Sequence, residues 1–179
     1  NSVEELIETD APCTILGCVP DNAVDSLLGE ISPGLGRSDG LFVDMANTHP
    51  DSARARAARL ASVGGHYIAA SISGGPEGAR KGPAIFASGS EEAKARVWPM
   101  FQTIAAMAGD DGSEPCCLWA GTDPGAGPRV KNEHNAAEYS IASALGEAYS
   151  VMRGSLGFSH GQIYDQLADW NKGDLAGYL

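Results

Sequence analysis

Over its first two-thirds the chain alternates short β-rich runs with helical stretches, an order that points to parallel strands joined by crossover helices. Residues 14–19 read as a buried strand, which Pro20, Asp21 and Asn22 stop while supplying a helix N-cap. Val24, Leu27, Leu28 and Ile31 then recur at helical spacing. Residues 41–44 predict a second strand. Pro50 and Asp51 open an Ala/Arg-rich helix to about residue 63, closed by Gly64 and Gly65. Residues 66–70 predict a third strand running into a glycine-rich loop at 73–78, and residues 83–86 a short strand. Residues 90–108 read as helical, with Pro99 kinking the helix or starting another, and 116–120 as a last strand. From Gly127 no β-rich run recurs, and the chain up to Tyr178 reads as successive helices broken near 154–157 and 171–173. The expectation is α/β followed by all-α, with residues 1–126 in one domain and 127–179 in the next.

Composition narrows the function classes. With 43% apolar and 20% charged residues over 179 positions, the chain can bury a proper core. A formal net charge of −11 repels phosphodiester backbones and anionic lipid, so nucleic-acid and membrane-surface roles are disfavoured. No basic leader opens the chain, and no apolar run approaches the ~18 residues that cross a bilayer. Cys13, Cys18, Cys116 and Cys117 show no paired Cys-x-x-Cys spacing. They are expected to be reduced, mostly buried thiols of a cytoplasmic protein, with no metal bound.

A parallel α/β half invites a search for Gly-x-Gly-x-x-Gly, the run that lets backbone approach a pyrophosphate at a helix N-terminus. It is absent: Asp39 and Val130 stand where the third glycine would follow Gly34-x-Gly36 and Gly125-x-Gly127. The most informative stretch is 130–139. Lys131, His134, Asn135 and Glu138 fall at i, i+3, i+4 and i+7, so at about 100° per residue they share one helical face, with Tyr139 at its edge. By spacing alone, this stripe reads as a solvated face contributing only surface charge.

The residues add a resemblance. Ile72-Ser73-Gly74-Gly75-x-Glu77-Gly78-Ala79-Arg80-x-Gly82-Pro83, Glu114-Pro115-Cys116-Cys117, Gly125-Ala126-Gly127, Val130-Lys131-x-x-His134-Asn135-x-x-Glu138-Tyr139 and Asp169-Trp170-Asn171-Lys172 together resemble the 6-phosphogluconate dehydrogenase family. Ser2-Val-Glu-Glu-Leu6 and Asn22-Ala-Val-Asp25 extend the likeness over essentially the whole chain, in order. The resemblance implies the C-terminal part of a Rossmann-like NADP-binding domain, without its first βαβ unit, followed by the first helices of the family's helical domain. It implies NADP-dependent oxidative decarboxylation of 6-phosphogluconate to ribulose 5-phosphate in a cytoplasmic homodimer, this chain being a fragment inactive alone. Lys131 matches the family's base and Glu138 its acid. Lys131 would have to be neutral to accept a proton, which burial or a nearby cation favours. Ser73, Gly74, Gly75, His134, Asn135 and Tyr139 match substrate-contacting positions. Asn47 matches an asparagine between nicotinamide and substrate, and Cys18, Val19 and Pro20 a backbone stretch beside the cofactor.

Taken alone, Ser73-Gly74-Gly75 reads as a turn, and Asn47 as a loop-forming or N-capping residue. Pro128 and Arg129 replace a His and an aromatic of the family, and the loop 121–127 reads one residue longer. Asn132, Glu133, Ala136 and Ala137 also depart, all off the polar stripe, and Glu133 is expected to lie exposed or to meet a cation. Two other readings stand beside the first: a related β-hydroxyacid dehydrogenase, and a non-catalytic remnant keeping a sugar-acid or protein-binding surface.

Overall fold

The computed structural model describes residues 12–109, 111–173 and 175. The resembling segment at 2–6, and most of the stretch beyond 173 expected to be helical, lie outside the described residues. The chain divides into two compact units, Asn1–Asn132 and Glu133–Leu179.

The first unit is a five-stranded sheet with helices on both faces. Its elements are β1 (Thr14–Gly17), α1 (Asp21–Arg37), β2 (Leu41–Asp44), α2 (Pro50–Ala61), β3 (His66–Ser73), α3 (Gly75–Lys81), β4 (Ala84–Gly89) and α4 (Glu91–Ile104). A small antiparallel ribbon follows, β5 (Met107–Ala108) with β6 (Glu114–Pro115), and then β7 (Cys117–Trp119). Strand order is β1-β2-β3-β4-β7. Alternation along the central strands sorts the core. Phe42, Tyr67 and Ala69 face Val24, Leu28, Ile31 and Leu35 of α1 with Ala53 and Leu60 of α2. Leu41, Val43, Ile68 and Ala70 pack with Ile85 and Ala87 of β4 against Ala93, Val97 and Phe101 of α4. Each large apolar side chain so buried contributes about 1.5–3 kcal/mol.

The structure departs from the sequence expectations at several points. β1, β2 and β3 are parallel, and β7 is parallel to β4, but β4 runs antiparallel to β3, pairing Ser73 with Ala84 and Ile68 with Gly89. Residues 74–83 are too short a connection for a crossover, so the chain returns beside the strand it left. Most of the expected glycine-rich loop is α3. Helix α4 runs through Pro99 to Ile104, held by its buried apolar face. At the start of α1, Pro20 occupies the cap position with no side-chain cap bond. Asp21 instead reaches Thr48 and Arg56. None of the four cysteines is fully buried: Cys13, Cys116 and Cys117 are half-buried, and Cys18 is exposed, because they lie in or beside β1 and β7, the two edge strands of the sheet.

Helix α5 (Ala126–Gly154) begins in the first unit and continues into the second, where α6 (His160–Trp170) follows. Ser159 caps α6: its hydroxyl accepts from Gln162 N, while Ser159 N donates to Gln162 Oε1. Met152 and Ile163 are buried in this unit, and Tyr149 Oη lies 3.0 Å from His160 Nδ1. Glu133 and Asn132 are exposed, as the sequence led us to expect for Glu133. Among the described residues no helix is long and apolar enough to cross a membrane.

Candidate functional site

In the first unit the site is built on strand ends. β3 runs to Ser73, and the chain then turns through Gly74 and Gly75, whose φ values of +133° and +57° lie where side chains are strained. A Cβ on Gly74 would also lie 2.9 Å from Gly78 Cα, so the turn needs glycine on both counts.

The start of α5 supplies the amine. Gly127 packs directly onto β4: a Cβ there would lie 2.6 Å from Phe86 O. One helical turn later Lys131, 5% exposed, donates from Nζ to Ser73 Oγ at 2.9 Å. Pro128 is accommodated in that first turn, as the sequence suggested.

The neighbouring parallel strand ends contribute two further segments. Gly17 and Asp44 are register partners, so residues 18–20 and 45–49 leave β1 and β2 side by side. Cys18 Sγ contacts Met45 Sδ at 3.6 Å. Val19 packs on the core, while Cys18 and Pro20 are exposed. Asn47 is exposed between two anchored neighbours. Ala46 N donates to Asp44 Oδ1 at 3.0 Å, and Ala46 O accepts from Ser71 Oγ at 3.3 Å. Thr48 Oγ1 donates to Asp44 Oδ2 at 3.0 Å.

Beneath that loop lies a cluster the sequence reading missed. Asp44, 1% exposed, accepts from Tyr67 Oη at 2.7 Å and Arg56 Nη1 at 3.1 Å. Arg56, 3% exposed, also bridges Asp21 and Asp25 at 2.8 Å each. Burial works against the Arg56 charge, but hydrogen bonds to Asp25 and Asp21 and the nearby Asp44 carboxylate outweigh it and raise its pKa. Burial, then the Asp44 charge, pushes the Tyr67 hydroxyl well above its usual range. The Arg56 hydrogen bond holds Asp25 below the ordinary carboxylate range. The signal available was a polar residue, Asp44, ending an apolar strand, but an arginine within an Arg-rich helix looks solvated.

In the second unit, His134 is exposed, with Nδ1 3.4 Å from Asn135 Oδ1 and 3.9 Å from Glu138 Oε2. Asn135 and Glu138 are half-buried, and Tyr139 is 75% exposed. All four lie on the helix that carries Lys131, at the spacing read from the sequence.

Residues 1–121 match the NAD binding domain of 6-phosphogluconate dehydrogenase, and residues 127–179 its C-terminal domain. The decarboxylating 6-phosphogluconate dehydrogenase of Cunninghamella elegans is 38% identical over the whole of this chain, which spans 36% of that protein. Among solved structures, the 6-phosphogluconate dehydrogenase of Plasmodium falciparum, described in apo form and in complex with its cofactor NADP+ and its substrate 6-phosphogluconate, superposes with a TM-score of 0.84 at 26% identity. The match covers 96% of this chain and 36% of that one. The 3-hydroxyisobutyrate dehydrogenase of Mycobacterium tuberculosis shares the fold, with a TM-score of 0.72 at 22% identity over 96% of this chain and 54% of that one.

Proposed function

The chain belongs to the 6-phosphogluconate dehydrogenase family, and from that premise we propose that it carries part of the site for NADP-dependent oxidative decarboxylation of 6-phosphogluconate. The observation that carries this reading is the buried Lys131 amine, 2.9 Å from the Ser73 hydroxyl beside a left-handed glycine turn. The chemistry requires a neutral amine, and withdrawal from water favours the neutral form of an amine.

Residues of this chain fit one end of the cofactor. The backbone at Cys18, Val19 and Pro20, with the exposed Asn47, leaves two adjacent parallel strand ends, where open α/β sheets bind ligands. By the family resemblance they would lie at the nicotinamide end. When bound, NADP+ supplies the hydride acceptor. Lys131 takes the proton of the 3-hydroxyl as that carbon is oxidised to a ketone. It then returns a proton to the carbonyl oxygen as the bond to the carboxylate breaks and carbon dioxide leaves with an enediol. Glu138, seven residues along the same helix, protonates C1 of the enediol to give ribulose 5-phosphate. Ser73, Gly74, Gly75, His134, Asn135 and Tyr139 hold the sugar acid, glycine backbone amides approaching its anionic oxygens. The domain division at residues 126 and 127, a homodimeric assembly and a cytoplasmic location belong to the same proposal.

Titration of the 179-residue chain with 6-phosphogluconate, followed by NMR at the Lys131 side chain and the amides of residues 73–75, tests the reading. Saturable perturbation at both places is expected. Equal competition by a small hydroxyacid without phosphate would favour a related β-hydroxyacid dehydrogenase, and no perturbation at millimolar ligand would contradict the assignment.

A further inference from the structure

Gly125, the residue before α5, has no side chain with which to cap it, and the first turn offers backbone N–H groups that the helix cannot satisfy. Ser88, fully buried in β4, answers from a distant part of the chain. Its hydroxyl accepts from Gly127 N at 2.9 Å and donates to Pro124 O at 2.9 Å, gripping the backbone on both sides of the helix start. A second hold lies at the surface. Arg54 of α2 donates from Nε and Nη2 to both carboxylate oxygens of Asp123, at 2.9 and 2.7 Å, and Asp123 Oδ1 also accepts from Gly125 N at 3.0 Å. The segment gripped is the loop 121–127, which reads one residue longer than the family pattern.

We propose that Ser88 is a positioning residue for Lys131, with the Arg54–Asp123 pair as its auxiliary. The inference rests on the reading of Lys131 as the reacting amine. The geometry is closed at both ends. β4 holds Ser88 and also pairs Ala84 with Ser73, while β3 pairs Ala69 with Ser88, so the two serines are fixed relative to one another by a single antiparallel ladder. Lys131 stands one turn, or about 6 Å of helix rise, beyond Gly127. Holding Gly127 to Ser88 therefore sets where the Lys131 amine arrives relative to Ser73. Ser88 touches no reacting atom and acts only through the helix start.

Brief acylation of the folded 179-residue chain with an amine-reactive ester, read by mass spectrometry, reports Lys131 against exposed Lys81 in the same sample. In Ser88→Ala the Lys131:Lys81 labelling ratio is expected to rise about fivefold to tenfold, as loss of a buried hydrogen bond shifts a local opening equilibrium. The Gly127 amide should lose hydrogen-exchange protection in parallel. Leu60→Ala, which opens a cavity in the core away from the loop, controls for general destabilisation. An equal rise there, or an unchanged ratio in Ser88→Ala, overturns the proposal. Should Ser88→Ala fail to fold, Asp123→Asn at the surface is expected to raise the ratio by a smaller factor, and no rise overturns it. Labelling involves no substrate, so an inert Lys131 would defeat the catalytic reading and leave this outcome unchanged.

Discussion

Lys131 Nζ and Ser73 Oγ, 58 positions apart in the chain, meet at 2.9 Å where the first turns of α5 pass the end of β3. Lysine is seldom withdrawn from water without a polar partner. The hydroxyl it meets begins a turn of two positive-φ glycines, so amine and hydroxyl meet beside a segment of backbone that carries no side chains.

The approach of α5 to β4 makes two glycines of one helix respond oppositely to the same change. Gly127→Ala puts a methyl 2.6 Å from Phe86 O and is expected to destabilise by about 1–3 kcal/mol. Gly146 faces open space, so Gly146→Ala is expected to stabilise by about 0.5–1 kcal/mol. Urea unfolding of both variants checks this, and equal effects would contradict the packing.

The cluster under the Asn47 loop is expected to behave as a buried charge network. Arg56→Ala leaves the Asp44 carboxylate without its cation and should cost about 3–5 kcal/mol. Tyr67→Phe removes one hydrogen bond to a charged acceptor and should cost about 1.5–3 kcal/mol. Denaturant titration gives both values, and a negligible cost for Arg56→Ala would show that Asp44 is not buried as described.

Asp123 gives a pH signature. Its hydrogen bonds from Arg54 and the Gly125 amide hold its carboxyl down to about 2, against an ordinary 3.8. A carboxyl lowered in the folded state adds stability above its unfolded value, and the gain fades as pH falls from 3.8 toward 2. The pair is solvent-screened, so the gain is at most about 1 kcal/mol. The stability difference between the native chain and Asp123→Asn should be constant from neutral pH down to about 5, shrink below that, and be lost as pH falls through about 2. A difference that grew on acidification would contradict the pairing.

Thiol reactivity should separate the cysteines. Burial pushes the Cys117 thiol up to about 11, leaving roughly a thousandth as thiolate at pH 8. Exposed Cys18 should be alkylated first by iodoacetamide, with Cys117 lagging. The reverse order by mass spectrometry would contradict the placement of β7.

The alternation of apolar runs made the strands, and the helices on either side of them, readable from the chain. Val24, Leu28 and Ile31 face the core because helical spacing puts them on one stripe. The direction of β4 was not readable, since an apolar run looks the same in either sense and only the short return through α3 decides it. Arg56 was not readable either, because its burial depends on Asp21, Asp25 and Asp44, none of them local to it. Ser88 carried no pattern at all, as its two partners lie 36 and 39 positions away. The Lys131 stripe was visible by spacing, but only the family resemblance linked it to Ser73.

The most direct test of Lys131 as the base places residues 12–173 in the corresponding segment of a full-length relative and measures 6-phosphogluconate-dependent NADPH formation, with and without Lys131→Met. An active chimera whose kcat falls roughly 10²–10⁴-fold on that substitution is the expected result. A chimera that keeps its rate without the Lys131 amine, or one that folds and shows no activity, contradicts the account.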